Sequence, residues 1–322
     1  MALTLADLYA SPDHYLQAFD GDAAIFVPMD RAAYHRSIFL DGRISPAGAG
    51  QMRVALDLFV NMPPPQPTGW IFHIAHCGST LLARALDGLS GNLVLREPLA
   101  LRQSAVAGDA GRLALAAAMA SKRYRTDVAT VVKANVPVNF VLPELIALQD
   151  RPRAILLYLP LRDYLLAILR SDNHRDWLRR VSTQLGPKVG DVAGLADGAR
   201  AAALWLAQMR AFAGALAALP RARTCNAEDF FANPAPVLKA AVAQLQVDMT
   251  DAAVAQCVAG DLFNTYSKNP NEPFDNDARL TRRAALEASL AHDIALGEAW
   301  LAHAADERRM IEAQVQAADL LG

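Results

Sequence analysis

The apolar positions change period several times between Trp70 and Asn226. Trp70-Ile71-Phe72-His73-Ile74 is a short apolar run of strand type, and after a Cys-Gly-Ser-Thr turn Leu81-Leu82-Ala83-Arg84-Ala85-Leu86 follows a helical period. Asn92-Leu93-Val94-Leu95 predicts a second strand, Asp127 to Lys133 a third, Ala154 to Leu159 a fourth and Ala222 to Asn226 a fifth. Helical patterns fall between or after them at Arg112–Ser121, Phe140–Leu148, Asp163–Ser171, Gly194–Leu219 and Pro236–Leu245. In the longest, Trp205, Met209, Phe212, Leu216 and Leu219 recur every three or four residues and mark a core-facing stripe. Short strands alternating with helices predict βαβ units and a mainly parallel sheet. Residues 1–62 read as short helices and loops, and Pro63-Pro64-Pro65 with Pro67-Thr68-Gly69 breaks the chain before the regular part. Tyr266 to Asp275 is too rich in Pro and Asn for a regular element. From Arg279 a single long helix is predicted, with Leu286, Leu290, Ile294 and Leu301 on one face.

Composition narrows the classes. The chain has 322 residues, 31 Lys+Arg, 33 Asp+Glu and a net charge of −2, which argues against a protein that coats nucleic acid or an anionic membrane. Cys77, Cys225 and Cys257 form an odd, widely spaced set, which fits a reducing, cytoplasmic setting and not a disulfide scaffold. Asp7, Asp13 and Asp20 break up the first residues, so no secretory signal is read there. No apolar run reaches membrane-spanning length; the most apolar helix, Ala199 to Leu219, contains Arg200, Gln208 and Arg210. Only five cations are lysines: Lys122, Lys133, Lys188, Lys239 and Lys268.

The strongest chemical signal is His73-Ile74-Ala75-His76-Cys77-Gly78-Ser79-Thr80-Leu81. A strand that turns at Gly78 into a helix beginning near Ser79 presents backbone N–H groups at a positive helix end, which suits a phosphate or sulfate group. Ser79 and Thr80 add hydroxyl donors, and Gly78 permits close approach. The run is not a Walker A motif, because no G-x-x-x-x-G-K precedes the Ser-Thr pair. Its structural alternative is an ordinary helix capped by Ser79.

These residues resemble the donor-binding loop of the sulfotransferase superfamily: a basic residue, Ser, Gly, Thr/Ser, Thr, then Leu or Trp, in the places of His76, Cys77, Gly78, Ser79, Thr80 and Leu81. The resemblance runs on in order. Leu95-Arg96-Glu97-Pro98, eighteen residues after Ser79, is similar to the "EP" segment of bacterial and tyrosylprotein-type members, whose Glu is a general base. Val131-Val132-Lys133 resembles the "liK" strand, Phe140 to Leu161 the elements before "R-D-P-R-D", and Asn226 to Pro234 the "yEdl..dP" segment. The resemblance implies a three-layer α/β/α P-loop-type fold, with 1–68 as an N-terminal helical extension, 69–278 as the core and 279–322 as a C-terminal helix of one domain. It implies sulfuryl transfer from 3′-phosphoadenosine 5′-phosphosulfate (PAPS) without a metal, with Glu97 as base and His76 or Lys133 as the cation near the bridging oxygen. Three places depart from the family. His76 replaces a Lys or Arg, Asn135 stands near the His base of cytosolic members, and Leu159 and Ala167 occupy the positions of the Arg and Ser that hold the 3′-phosphate. Arg162 with Arg170 or Ser171 stands in for that pair. Ser267 and Lys268, followed by Arg279, Arg282 and Arg283, resemble the late basic loop that covers the same phosphate.

Each residue also has a structural reading. Glu97 also reads as an exposed strand end, Lys133 as a snorkelling side chain, His73 as a hydrogen-bonded core residue and Cys77 as a small loop residue whose thiol the helix end activates. His73, His76 and Cys77 lack tetrahedral metal spacing. Arg170, Arg175, Arg179 and Arg180, with His174 and Trp177, lie where acceptor-contacting segments fall in the family the chain resembles, and read structurally as a solvated helix face. Two other functions compete: a nucleotide-dependent kinase, for which Asp163 is the sole Mg²⁺ carboxylate and the loop lysine is missing, and a non-catalytic binding member of the same fold. The acceptor is unread, and the long final helix offers a contact face for a second copy.

Overall fold

The computed structural model describes residues 3–88, 91–267, 269–274 and 276–322. Its centre is a five-stranded, wholly parallel sheet flanked by helices. The strands are β4 (Thr68–His73), β5 (Val94–Arg96), β6 (Thr130–Lys133), β7 (Arg153–Tyr158) and β8 (Ala222–Asn226), in the order β5-β6-β4-β7-β8. All six residues of β4 and all four of β6 are buried, which explains their unbroken apolar sequence: a parallel strand covered on both faces has no solvent side on which to alternate. Helices Ser79–Gly88, Pro234–Leu245 and Asp251–Ala259 form one packed group, and Leu142–Ala147, Leu161–Ile168 and Asp197–Ala218 another. The expected strands and principal helices occur with their ends shifted by a few residues. Leu99–Ala107 and Asp172–Leu185 are further helices.

The N-terminal region departs from the helical extension expected. It contains a three-stranded antiparallel sheet, β1 (His14–Asp20), β2 (Ala23–Pro28) and β3 (Met52–Ala55), beside two short helices. Asp20-Gly21 turns the β1–β2 hairpin with Gly21 at φ 59°, a conformation suited to glycine. Two buried cations dock this sheet on the core. Arg96, 1% exposed, donates to Asp87 (2.7 Å) and to the carbonyls of Tyr34 (2.6 Å), His35 (3.1 Å) and Ser37 (2.7 Å). Lys122 donates to the carbonyls of Leu8 (2.9 Å) and His14.

The C-terminal region also differs from its expected single helix. Three helices, Asn276–Ser289, Ala291–Leu301 and Ala305–Ala317, succeed one another around a break at Leu290 and a 3₁₀ turn at Ala302–Ala304. The breaks let Leu290, Ile294, Leu301, Ile311 and Val315 all reach the core, which a straight rod does not allow. The 291–301 helix crosses 197–218 so closely that a Cβ on Gly198 would lie 1.9 Å from the Asp293 carbonyl oxygen. The chain then pairs with β8, Thr224 N–H donating to Ala318 (2.9 Å) and Leu320 N–H to Thr224 (2.8 Å), so the sheet edge is covered. The Asn/Pro-rich segment expected to be irregular contributes Asn269–Pro273, paired antiparallel with Thr265–Tyr266. Asp197–Ala218 is long and apolar enough to cross a membrane by length and composition, but 67% of its most apolar window is buried within the protein.

Candidate functional site

The carboxyl ends of the parallel strands open into one cavity of about 820 Å³. Its position follows from the strand order. β4 is the first core strand in sequence yet the middle one in space, so the chain departs to one side through β5 and β6 and to the other through β7 and β8, leaving a crevice above β4. The 75–81 loop lies in that crevice, and its helix starts at Ser79, with Leu82 N–H bonded to the Gly78 carbonyl (3.1 Å). Gly78 has φ 77°, and a Cβ there would sit 2.7 Å from the Phe231 ring, so the position excludes side chains on two counts.

Within the loop the roles separate. The Cys77 side chain is fully buried, its thiol donating to the Ile74 carbonyl (3.0 Å), so it ties the turn to β4 and is not the accessible, activated thiol considered from sequence. Ser79 and Thr80 line the cavity, as do Gly78 and Leu81. Thr80 Oγ1 is buried without a hydrogen-bond partner. A buried hydroxyl in that state costs stability. His76 takes a left-handed φ of 62° and stacks on His174, ring centroids 3.9 Å apart, with Trp177 edge-on at 5.9 Å.

Glu97 and Lys133 meet beside the loop. Strand pairing sets Arg96 opposite Lys133, and Glu97 N–H donates to the Lys133 carbonyl (2.7 Å). The Lys133 side chain is fully buried, contradicting the snorkelling reading, and its ammonium donates to Glu97 Oε1. His73 Nε2 lies 4.0 Å from the same carboxylate, while Nδ1 bonds the Ile74 carbonyl at 2.8 Å and therefore carries a proton. Glu97, like His76, holds a left-handed φ (57°), a strained conformation that elsewhere accompanies functional positions. Asn135, 7% exposed, lines the cavity nearby with Oδ1 unpartnered.

The β8 side is built from residues distant in sequence. Glu228 accepts both guanidinium nitrogens of Arg279 (2.9 and 2.7 Å) and one from Arg283 (3.0 Å), and Arg283 also pairs with Asp163. Arg279 lies 4.4 Å over the Phe231 ring. Burial pushes the Arg283 guanidinium below its usual value. Ser267 lines the cavity and its carbonyl accepts from Arg84 (2.8 Å). Lys268 lies outside the described residues.

The structure corrects two readings. Arg162 does not line the cavity. On the 161–168 helix Asp163, Leu166, Ala167 and then Arg170 face it, whereas Arg162 pairs with Glu287 (3.3 Å) and Glu298 (3.9 Å). Ser171 does line it. The 172–185 helix is more than a solvated face: His174, Trp177 and Arg180 line the cavity, while Arg175 and Arg179 bind Asp197 on another face. Asp163, the carboxylate a kinase reading requires, is held by Arg283.

Phe39 and Arg43 of the N-terminal region, and Arg102, were not singled out from sequence. Arg43 lies 3.9 Å over the Phe39 ring and is raised in pKa by its hydrogen bond to Asp41. The Lys133 ammonium lies 5.8 Å from the centroid of the same ring. Among the described lining residues eight cations (Arg43, Arg102, Lys133, Arg170, Arg180, Arg279, Arg282 and Arg283) face three carboxylates (Glu97, Asp163 and Glu228). A protein of net charge −2 thus concentrates positive charge at one site.

No family model and no curated protein matches the chain. Among solved structures, it is similar to the sulfotransferase domain from the curacin biosynthetic pathway, at 15% sequence identity and a TM-score of 0.45, over 66% of this chain and 89% of that one.

Proposed function

We propose that this protein is a sulfotransferase, moving a sulfuryl group from PAPS to a hydroxyl or amine acceptor. The observation that carries the reading is a single cationic cavity in which a backbone anion cradle, an orphaned Thr80 hydroxyl and a Glu97–Lys133 pair adjoin at the ends of parallel strands. Sulfuryl transfer needs these parts: its loose transition state carries charge on peripheral oxygens, so fixed positive groups do most of the work. The 77–81 loop with Ser79 and Thr80 holds the donor's phosphate-linked end. Arg279, Arg282 and Arg283, held in place partly by Glu228 and Asp163, take the 3′-phosphate, a duty that the sequence reading gave to them with Ser267 and Lys268, beside Arg162 with Arg170 or Ser171.

Glu97 takes the acceptor proton as the acceptor–sulfur bond forms and the sulfur–oxygen bond to the donor breaks. Lys133 orients that carboxylate and adds positive charge at the reacting centre. His76 packs against His174 at the cradle's rim. A thermal-shift titration with adenosine 3′,5′-bisphosphate tests the reading. Saturation well above a micromolar Kd is expected to stabilise the fold by several kcal/mol; no shift overturns the donor assignment.

A further inference from the structure

The two ends of the sheet divide the cavity into two arms. On the β8 side Arg279 and Arg283 are matched by Glu228 and Asp163. On the β5 side the balance differs. Arg102 rises from the 99–107 helix immediately after Glu97-Pro98, and Arg180 from the 172–185 helix across the opening. Both also line a second cavity of about 590 Å³, so they stand at the mouth. The only protein bond from their guanidinium groups is Arg102 to the Gln184 side-chain oxygen (3.3 Å), among the described residues. The nearby carboxylates are engaged: Glu97 by Lys133, and Asp176 by Arg179 at 3.2 Å. Between this mouth and Glu97 lie an apolar wall that includes Trp177, Val136 and Pro137, and the buried, unpartnered Asn135 Oδ1.

We infer that the acceptor is an anion. Its hydroxyl or amine donates to Glu97, its apolar body lies against Trp177, and a carboxylate or phosphate on the same molecule is held by Arg102 and Arg180. Guanidinium groups suit both anions through paired, charge-assisted hydrogen bonds. The inference deepens the sulfuryl-transfer reading and rests on it for the word acceptor.

Isothermal calorimetry without donor, using para-ethylphenol, para-hydroxyphenylpropionate and para-hydroxyphenethyl phosphate, tests it on the full chain. At least one anionic probe is expected to bind about tenfold more tightly than the neutral phenol, and the stronger of the two identifies carboxylate or phosphate. R102A/R180A is expected to erase that preference, bringing the anionic probes to the affinity of the neutral phenol. R180E, at an exposed position, is expected to weaken the anionic probes selectively. Equal binding of all three probes to the unaltered protein overturns the inference, as does a preference that survives R102A/R180A, since the cradle then holds the anion. Failure of the bisphosphate alone to stabilise the protein overturns the transferase reading instead.

Discussion

Replacing Glu97 by glutamine keeps its shape and removes the carboxylate facing Lys133. The lysine side chain is fully buried, so its ammonium loses its ionic partner in a place water does not reach. Breaking such a pair from one side costs about 3–5 kcal/mol. The glutamine oxygen still accepts one hydrogen bond, which sets the expected loss for E97Q near 3 kcal/mol. E97Q/K133M removes both charges and is expected to recover most of it, to within about 1 kcal/mol of the unaltered protein. On the proposed transferase reading, in which Glu97 is the base, kcat/KM for sulfuryl transfer is expected to fall at least about 100-fold in both variants. Urea unfolding at pH 7 and donor-to-acceptor transfer, measured on the same preparations, separate the two effects. A double variant no more stable than E97Q refutes the buried-pair argument. Transfer by E97Q within tenfold of the unaltered rate refutes the base.

R96M strips a buried guanidinium from Asp87 and three backbone carbonyls, and a loss of roughly 3–5 kcal/mol in urea unfolding is expected; a loss below about 1 kcal/mol contradicts the docking role. Burial lowers Lys122 from 10.5 to about 7, with Asp13 opposing. The unfolded chain therefore binds that proton more tightly, and stability should rise with pH from about 7 to about 10.5 and then level off. K122M should lose this rise in urea midpoints, and equal slopes in the two proteins count against it. T80V removes the orphaned hydroxyl, so adenosine 3′,5′-bisphosphate should bind about tenfold more weakly by calorimetry while thermal stability holds or increases; unchanged affinity removes Thr80 from the cradle.

The core sheet was legible because each of its strands is an apolar run bounded by turn chemistry, and the cradle because Gly78-Ser79-Thr80 follows one of them. Glu97 and Lys133 stood out separately at the ends of β5 and β6, but their pairing depends on which strands are neighbours, and strand order is not written in either segment. The N-terminal sheet was missed although Asp20-Gly21 between Tyr15–Phe19 and Ala23–Val27 is a hairpin signal. A register shift between Leu16 and Ala18 spoils the alternation that would have exposed β1. Leu286, Leu290, Ile294 and Leu301 do share a helical period, so the breaks beyond Ser289 were hidden. Arg162 looked equivalent to Arg170 by type and neighbourhood. Helical phase, decided by what Asp163 packs against, put only one of them in the cavity. Phe39 and Arg43 carry no local mark at all, since only the docking of the N-terminal region through Arg96 brings them over Lys133.

The cavity wall takes Phe39 and Arg43 from near one end of the chain and Arg279 to Leu286 from near the other. During synthesis the 75–81 loop, Glu97 and Lys133 emerge long before the last of these segments, so a nascent chain carries them in an unfinished enclosure. Contacts of such sequence separation form slowly, and competence arrives late, with the closing of the whole chain on itself. A nick that frees the last helices removes one wall of the cavity and at the same time uncovers the β8 edge that Thr224 ties to the chain end.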